Sequence, residues 1–367
     1  MTETFEDSTD SSDPGEELGQ SPLERFIFRE LEPQRENLNS WKADKSHLQM
    51  LIDSARRRKL HPQKIGASNI PTFTLPRAGN QVAGIHGKIT TLVSDQALRA
   101  ANSRELTRQC LVLSNVPHLP GQTFHISQVK TAASFMESLG EPVSIRPASG
   151  ASRTGVHANL TTVDELADAW EHAAAACSKL PAVQQQIDVE AFRPWVALRV
   201  FVVSEEPVAA VARVPLYVVG DGSTSLGQLA HQEVERRNSC GFLTPVKGSS
   251  AEDRLNAQGL SSETVPRRDQ LQVLNYDQTG QQGQGWSVDV LDLLGDRLNE
   301  LAVNALWAFP GLSATAVDIL TPSVGGGEHA VVSGVEPEAD LREFRFPAFG
   351  AARFPNRAMM DRIAGLS

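Results

Sequence analysis

Leu139-Gly140-Glu141-Pro142-Val143-Ser144-Ile145-Arg146-Pro147-Ala148-Ser149-Gly150-Ala151-Ser152-Arg153-Thr154-Gly155-Val156 is the most informative stretch of the chain. Gly140 stands where a helix-ending glycine belongs. It closes a helix predicted from Ser127, with Val129, Ala132, Ala133, Met136 and Leu139 on its apolar face. Pro142–Pro147 then reads as a short strand with Arg146 near its end, and Ala148 to Gly155 is a loop of Ser, Gly, Arg and Thr. A strand, a Gly/Ser loop and a fixed cation together suit a phosphate, because successive backbone N–H groups and a guanidinium offset anionic oxygens.

Upstream, Ser103 is a good N-cap for a helix through Leu113, followed by a loop with Pro117, Pro120 and Gly121. A further helix is predicted from about Ser40 to Arg58, and short strands and turns over 69–95. Downstream, Thr162-Val163-Asp164-Glu165 has capping-box spacing and opens a helix through Ala176. Val183–Ile187 is a predicted strand, and Val196–Val203 with Val208–Val219 a β pair that carries Arg199 and Arg213. A Gly/Gln-rich loop from Gly280 to Gly285 precedes a helix from Asp292 to about Ala308. Strands at Ala314–Leu320 and near Ala330–Ser333 follow. The fold class expected is α/β (α+β).

The chain has 367 residues, 40% of them hydrophobic, and a formal charge of −10. Seven acids and no Lys or Arg fall in the first twenty residues, which read as a disordered acidic tail. With those seven of the 44 acids set aside, the 34 basic residues nearly balance the remainder. Such a chain lacks the basic face of a general nucleic-acid binder. Cys110, Cys177 and Cys240 lie far apart, so neither a disulfide framework nor a Cys-x-x-Cys zinc site is expected. No apolar secretory segment or membrane span is evident, and a cytoplasmic protein is expected. P-loop, Gly-x-Ser-x-Gly and His-Glu-x-x-His motifs are absent from the sequence.

The order of segments resembles the ATP-grasp superfamily, and within it the ATP-grasp module of cyanophycin synthetase and glutathione-synthetase-like ligases. The resemblance is carried by Val82–Thr91, Ser103–Arg108, Asn115–Gly121, Leu139–Pro147, Gly150–Val156, Val183–Ile187, Arg199–Val203, Arg213–Gly222, Val265-Pro266, Asn275 and Ala316–Ile319, in family order from about residue 80 onward. It implies two α+β subdomains clamping ATP, in a domain over 101–367 preceded by an N-terminal region over 21–100. It also implies an ADP-forming carboxylate–amine ligase acting through an acyl phosphate. Arg108 and Arg146 would stand at the two lysine positions that hold ATP phosphates. Gly150, Ser152 and Gly155 would belong to the loop over the phosphates, and Gln184, Gln185 and Ile187 to the adenine hinge. Arg199 and Arg213 would serve the phosphoryl group, and Asp318 would be a metal ligand.

Departures from the family pattern accompany these matches. Both phosphate lysines are arginine, a forked and bulkier cation. Three additional residues before Arg199 leave either Gln184 or Glu190 to hold the nucleoside. In place of the second metal motif, Glu-x-Asn, the nearest equivalent is Glu336-Pro337-Glu338, with a proline between the ligands. The expected cofactors are ATP and Mg²⁺, with Mn²⁺ as a substitute, and the expected partners a small carboxylate and an amine, without nucleic acid or membrane. Homo-oligomerisation is left open. The alternatives are a nucleotide-binding relative that has lost turnover, or a regulatory protein that interacts through its acidic tail. No Mur-ligase-like domain is expected after the module, so the full cyanophycin synthetase reaction is not implied.

Overall fold

Alternation along β9 (Val196–Val203) and β14 (Ala314–Thr321) sends their side chains to opposite faces of one sheet. With β10 (Glu206–Pro215), β13 (Gly285–Asp289) and β15 (Val331–Glu336) they form an antiparallel sheet of order β13-β10-β9-β14-β15. The computed structural model describes residues 20–42, 45–67, 69–148, 155–245, 255, 259–274 and 285–365. The acidic tail, Gly150 and Ser152 of the Gly/Ser loop, Asn275 and most of the Gly/Gln-rich segment lie outside them.

One face of this sheet presents Leu198, Val200, Val202, Ala210, Ala212, Val317 and Ile319 to the helix Asp296–Trp307, whose Leu298, Ala302, Ala305 and Leu306 complete the largest core. Leu23, Phe26, Ile27 and Leu31 from the N-terminal segment join that core. The other face buries Phe201, Val203, Ala209, Val211, Ala314 and Ala316 against Met50, Leu51 and Ala55 of the helix His47–Arg57 and against Phe344, Met359 and Met360. Beyond that apolar half, the same face turns charged: Arg199, Arg213 and Asp318 follow at two-residue steps.

A second antiparallel sheet has order β5-β8-β6-β7, from Gly121–His125, Gln186–Ala191, Val143–Pro147 and His157–Leu160. Its Phe124, Val143, Ile145, Ile187 and Val189 pack on the helices Val129–Leu139 and Val163–Cys177. The N-terminal meander β1-β2-β3-β4 (Gln63–Ile65, Thr72–Arg77, Asn80–His86, Ile89–Thr90) brings the turn at Gly87-Lys88 beside the first sheet's charged half. Tyr217–Val219 (β11) pairs with Leu271–Val273 (β12) in a separate ribbon. Among the described residues no helix is long and apolar enough to cross a membrane.

Several boundaries differ from the sequence reading. The first long helix starts at His47 rather than Ser40, because the Ser46 hydroxyl accepts the Gln49 N–H and caps it there. Ser127 does not cap the next predicted helix. Its hydroxyl bonds His125 Nδ1, and the helix begins at Val129. The strand expected at Val183–Ile187 forms as Gln186–Ala191, since Ala182–Gln184 is a 3₁₀ turn after Pro181. Leu291–Leu293 is likewise a 3₁₀ turn, separate from the helix that follows it. The capping box at Thr162/Glu165, the Ser103 cap and the left-handed Gly140 form where the sequence puts them.

Candidate functional site

Where the charged half of the first sheet faces the second sheet, a cavity of about 820 Å³ opens. Its floor is built on strand register. Arg199 of β9 stands directly opposite Asp318 of β14, and Arg213 of β10 is opposite Ala197, two residues along β9 from Arg199. Arg199 holds Asp318 with both arms, Nε to Oδ1 at 2.6 Å and Nη2 to Oδ2 at 2.7 Å. Arg213 grips Glu343 in the same way at 2.6 and 2.6 Å, and its Nη1 lies 3.5 Å from Asp318. Paired guanidinium–carboxylate forks fix both planes, so the cations are held in place before any ligand arrives. Burial works to raise the Asp318 carboxyl, but the charges of Arg199 and Arg213 outweigh it and hold it at about 2.

Arg146, on the penultimate position of β6, faces the cavity from the second sheet and pairs with Glu190 on β8. Its Nε is buried with no hydrogen-bond partner among the described residues, so this guanidinium has a donor to offer a ligand. Arg104, in the first turn of the helix Arg104–Leu113, enters from the side and donates to the Ser333 carbonyl at 2.7 Å. Burial, and then the charge of Arg146, depress its pKa. Neither Arg104 nor Lys88, which lines the mouth, has a carboxylate within ion-pair reach among the described residues. Next to the cavity is a narrow slot of about 40 Å³ between Leu119, Ile145, Val156, Ala191 and Leu320, sharing Arg146, Val156, Leu320 and Ser333 with it.

Arg146, Arg199, Arg213, Asp318, Glu336 and Glu338 are therefore brought to one cavity, and Glu190 to its edge. Arg108 is not. It lies one turn further along the same helix, where Asp188, fully buried, takes both of its Nη groups with Thr123 alongside. Burial alone would lower the Arg108 pKa, yet the bonds and charge of Asp188 raise it. Ile187 is buried in the helix-facing core of the second sheet. The Gln185 amide donates to the carbonyls of Ser178 and Leu180, and neither it nor Gln184 lines the cavity. Of the two residues the sequence offers for the nucleoside, Gln184 lies away from the cavity and Glu190 lines the slot beside it. Gly155 has φ +82° and packs so tightly on the helix Val163–Cys177 that a Cβ would lie 2.7 Å from the Ala173 Cα.

Sequence alone does not single out Arg104, Lys88 or Glu343. Arg104 and Arg108 are one helical turn apart, and nothing local says which of the two faces the cavity. Glu343 lies in an ordinary Leu-Arg-Glu-Phe segment 130 residues from Arg213, and only the fold joins them.

For a divalent cation the relevant oxygens are those of Asp318 and Glu336. Glu336 pairs with Ala316 on β14, two positions from Asp318 on the same face, and both line the cavity. The residue opposite Asp318 itself is Gly334. Glu338, on the rim, donates its backbone N–H to the Glu336 carboxylate at 3.2 Å. No group of three His, Cys, Asp or Glu side chains forms a cation cage among the described residues. Mg²⁺ does not require one: it is commonly held by one or two carboxylates together with substrate phosphates, so Asp318 and Glu336 fit an ion that arrives on a nucleotide.

The fold is the ATP-grasp fold, two α+β units facing each other across a charged cleft, as the sequence resemblance implies. The structure of a bifunctional glutathione synthetase from Pasteurella multocida superposes with a TM-score of 0.57 at 20% identity, over 88% of this chain and 44% of that one. In sequence, the chain is 29% identical over 216 residues to the glutathione biosynthesis bifunctional protein GshAB of Mannheimia succiniciproducens, covering 57% of this chain. It is 24% identical over 292 residues to the cyanophycin synthetase of Trichormus variabilis, covering 76% of this chain. The chain spans 27% and 31% of the length of these two relatives. No family profile matches it.

Proposed function

We propose that the chain is an ADP-forming carboxylate–amine ligase of the ATP-grasp type. The observation that carries this reading is the set of four guanidinium groups, Arg104, Arg146, Arg199 and Arg213, converging on one cavity between two sheets. In such a reaction a substrate carboxylate oxygen attacks the terminal phosphorus of ATP. The bond to the bridging oxygen breaks, and ADP leaves. An amine nitrogen then attacks the acyl carbon, phosphate departs with the bonding electrons, and the nitrogen gives up a proton. Charge gathers on phosphoryl oxygens throughout, and fixed cations around them lower the barrier.

In this reading Arg104 and Arg146 hold the nucleotide phosphates, with the Arg146 Nε, which has no partner among the described residues, as a donor. Arg199 and Arg213 meet the transferring group and the acyl-phosphate oxygens. Glu190 serves the nucleoside at the slot beside the cavity. Arg108 supports the second sheet through Asp188. Asp318 and Glu336 hold Mg²⁺ or Mn²⁺, with Glu338 at the rim. When bound, the ion would withdraw charge from the phosphoryl oxygens. The direct test is ADP release measured over a panel of carboxylates and amines. Release that needs both partners supports a ligase, and release that never depends on an amine overturns that reading.

One observation favours a second reading, a nucleotide-binding relative without turnover. Gly334 faces Asp318 where a second strand carboxylate would stand, and a Cβ there would lie 3.4 Å from Arg104 Nη1. Tight Mg·ATP binding with no ADP release under any substrate pair would select it.

A further inference from the structure

We propose that His47 is a positioning residue that joins the two lips of the cavity, the Gly87-Lys88 turn on one side and the Asp340–Glu343 segment on the other. His47 is the first residue of its helix and only 6% exposed. Its Nε2 lies 2.9 Å from the Lys88 carbonyl, and its Nδ1 accepts the Leu341 N–H at 3.1 Å. These partners fix the tautomer: Nε2 carries the hydrogen and Nδ1 the lone pair. They come from segments 41 and 294 residues away in the chain. Lys88, Asp340 and Glu343 all line the cavity, and Glu343 in turn holds Arg213. The imidazole thus fixes where two walls of the site stand relative to each other. What fills that site rests on the ligase reading above, but the link itself does not.

The same geometry makes the link sensitive to protonation. An imidazolium carries hydrogen on Nδ1 as well, which then faces the Leu341 N–H donor to donor. Asp340 Oδ1, 3.8 Å from Nδ1, is the acceptor to which it would turn. The charged groups that face His47 are Asp340 from the segment before the helix Arg342–Arg345 and Lys88 from the β3–β4 turn. The helix Pro355–Ile363 meets the His47 helix through Asn356 with Met50 and Ser54, and through Arg58–Asp361 at its other end. Burial outweighs Asp340 and keeps the pKa below the ordinary histidine range.

Amide hydrogen exchange on the full chain tests this, with ATP affinity measured in parallel for wild type, His47→Asn and His47→Gln. Asn places an acceptor near the Nδ1 position and does not reach Lys88, whereas Gln reaches toward Lys88 and does not serve Leu341. In wild type, Leu341 protection relative to its intrinsic rate should fall about tenfold or more as the pH is lowered from neutral through the imidazole's titration, which lies below the ordinary histidine range. In His47→Asn it should stay level over that range, and in His47→Gln it should be low throughout. ATP affinity should weaken in the same pH step in wild type only. A wild-type Leu341 amide whose protection ignores pH overturns the proposal, as does an equal step in His47→Asn. If ATP binds at no pH, the ligase reading fails while the exchange profile still decides the role of His47.

Discussion

Arg199 grips both oxygens of Asp318 from the directly opposing position on the neighbouring strand. The cavity floor is therefore an ion pair that an incoming cation must share, and Asp318 serves stability as well as ligand binding. Its folded pKa, about 2, lies below the ordinary aspartate value, so the unfolded chain binds the proton more readily. This carboxylate's contribution is fully present above about pH 5 and is lost as pH falls toward 2. Asp318→Asn should cost on the order of 2 kcal/mol at neutral pH and flatten the acid limb of the urea-unfolding profile. A variant as stable as wild type at neutral pH, with an unchanged acid limb, would contradict this role.

The two arginines of the helix Arg104–Leu113 should separate cleanly. Arg104→Met removes a cation that faces the cavity and leaves only the Ser333 carbonyl to be resolvated. ATP affinity should fall about tenfold or more, with a change in melting temperature of a few degrees at most. Arg108→Met strands Asp188 in a fully buried position and should cost about 3–5 kcal/mol in unfolding free energy. Its nucleotide affinity, where it folds, should stay within about threefold of wild type. Calorimetric unfolding beside nucleotide titration gives both quantities, and the reverse pattern would restore Arg108 as the phosphate contact.

Gly155 offers a test of the second sheet's packing. Its φ of +82° leaves little freedom for an L side chain, and a Cβ added there would stand only 2.7 Å from the Ala173 Cα. Gly155→Ala should destabilise by roughly 1–3 kcal/mol in urea unfolding. A neutral result would show that the loop end shifts away from the helix Val163–Cys177 without cost.

Much of this architecture is legible locally. The Ser103 cap, the Thr162/Glu165 capping box and the terminal Gly140 depend on residues a few positions apart, and each forms where its pattern lies. The strand expected over Val208–Val219 instead ends at Pro215, and Tyr217–Val219 passes to a separate ribbon. Arg199, Arg213 and Asp318 are recognisable because charge in apolar strands needs a partner or a ligand. Side-chain direction is harder to read. The choice between Arg104 and Arg108 depends on Asp188, 80 residues beyond Arg108, and the shift of the predicted hinge strand to Gln186–Ala191 depends on which residues the second core accepts. Glu343 and His47 act through contacts 130 and 294 residues apart, beyond any local pattern.

Removing the candidate metal ligands one at a time should have graded effects. Asp318→Asn should weaken ATP binding far more with Mg²⁺ present than in EDTA, because it removes a charge that the cation meets directly. Glu336→Gln should have a smaller effect of the same kind, and Glu338→Gln the smallest, since it sits on the rim. Mg²⁺ titrations at fixed ATP compare the three. An unchanged Mg²⁺ dependence in Asp318→Asn would remove Asp318 from the metal site and favour the reading without turnover.

Every role proposed for the four arginines requires that the cavity between the two sheets hold ATP. A thermal-shift series with ATP and ADP, each with and without Mg²⁺, decides this, because a ligand that binds only the native state must raise the melting temperature. We expect a rise of several degrees at millimolar Mg·ATP, a smaller rise with ADP, and loss of most of the Mg·ATP shift in Arg146→Met. No movement with any nucleotide at millimolar concentration would contradict ATP binding in this cavity.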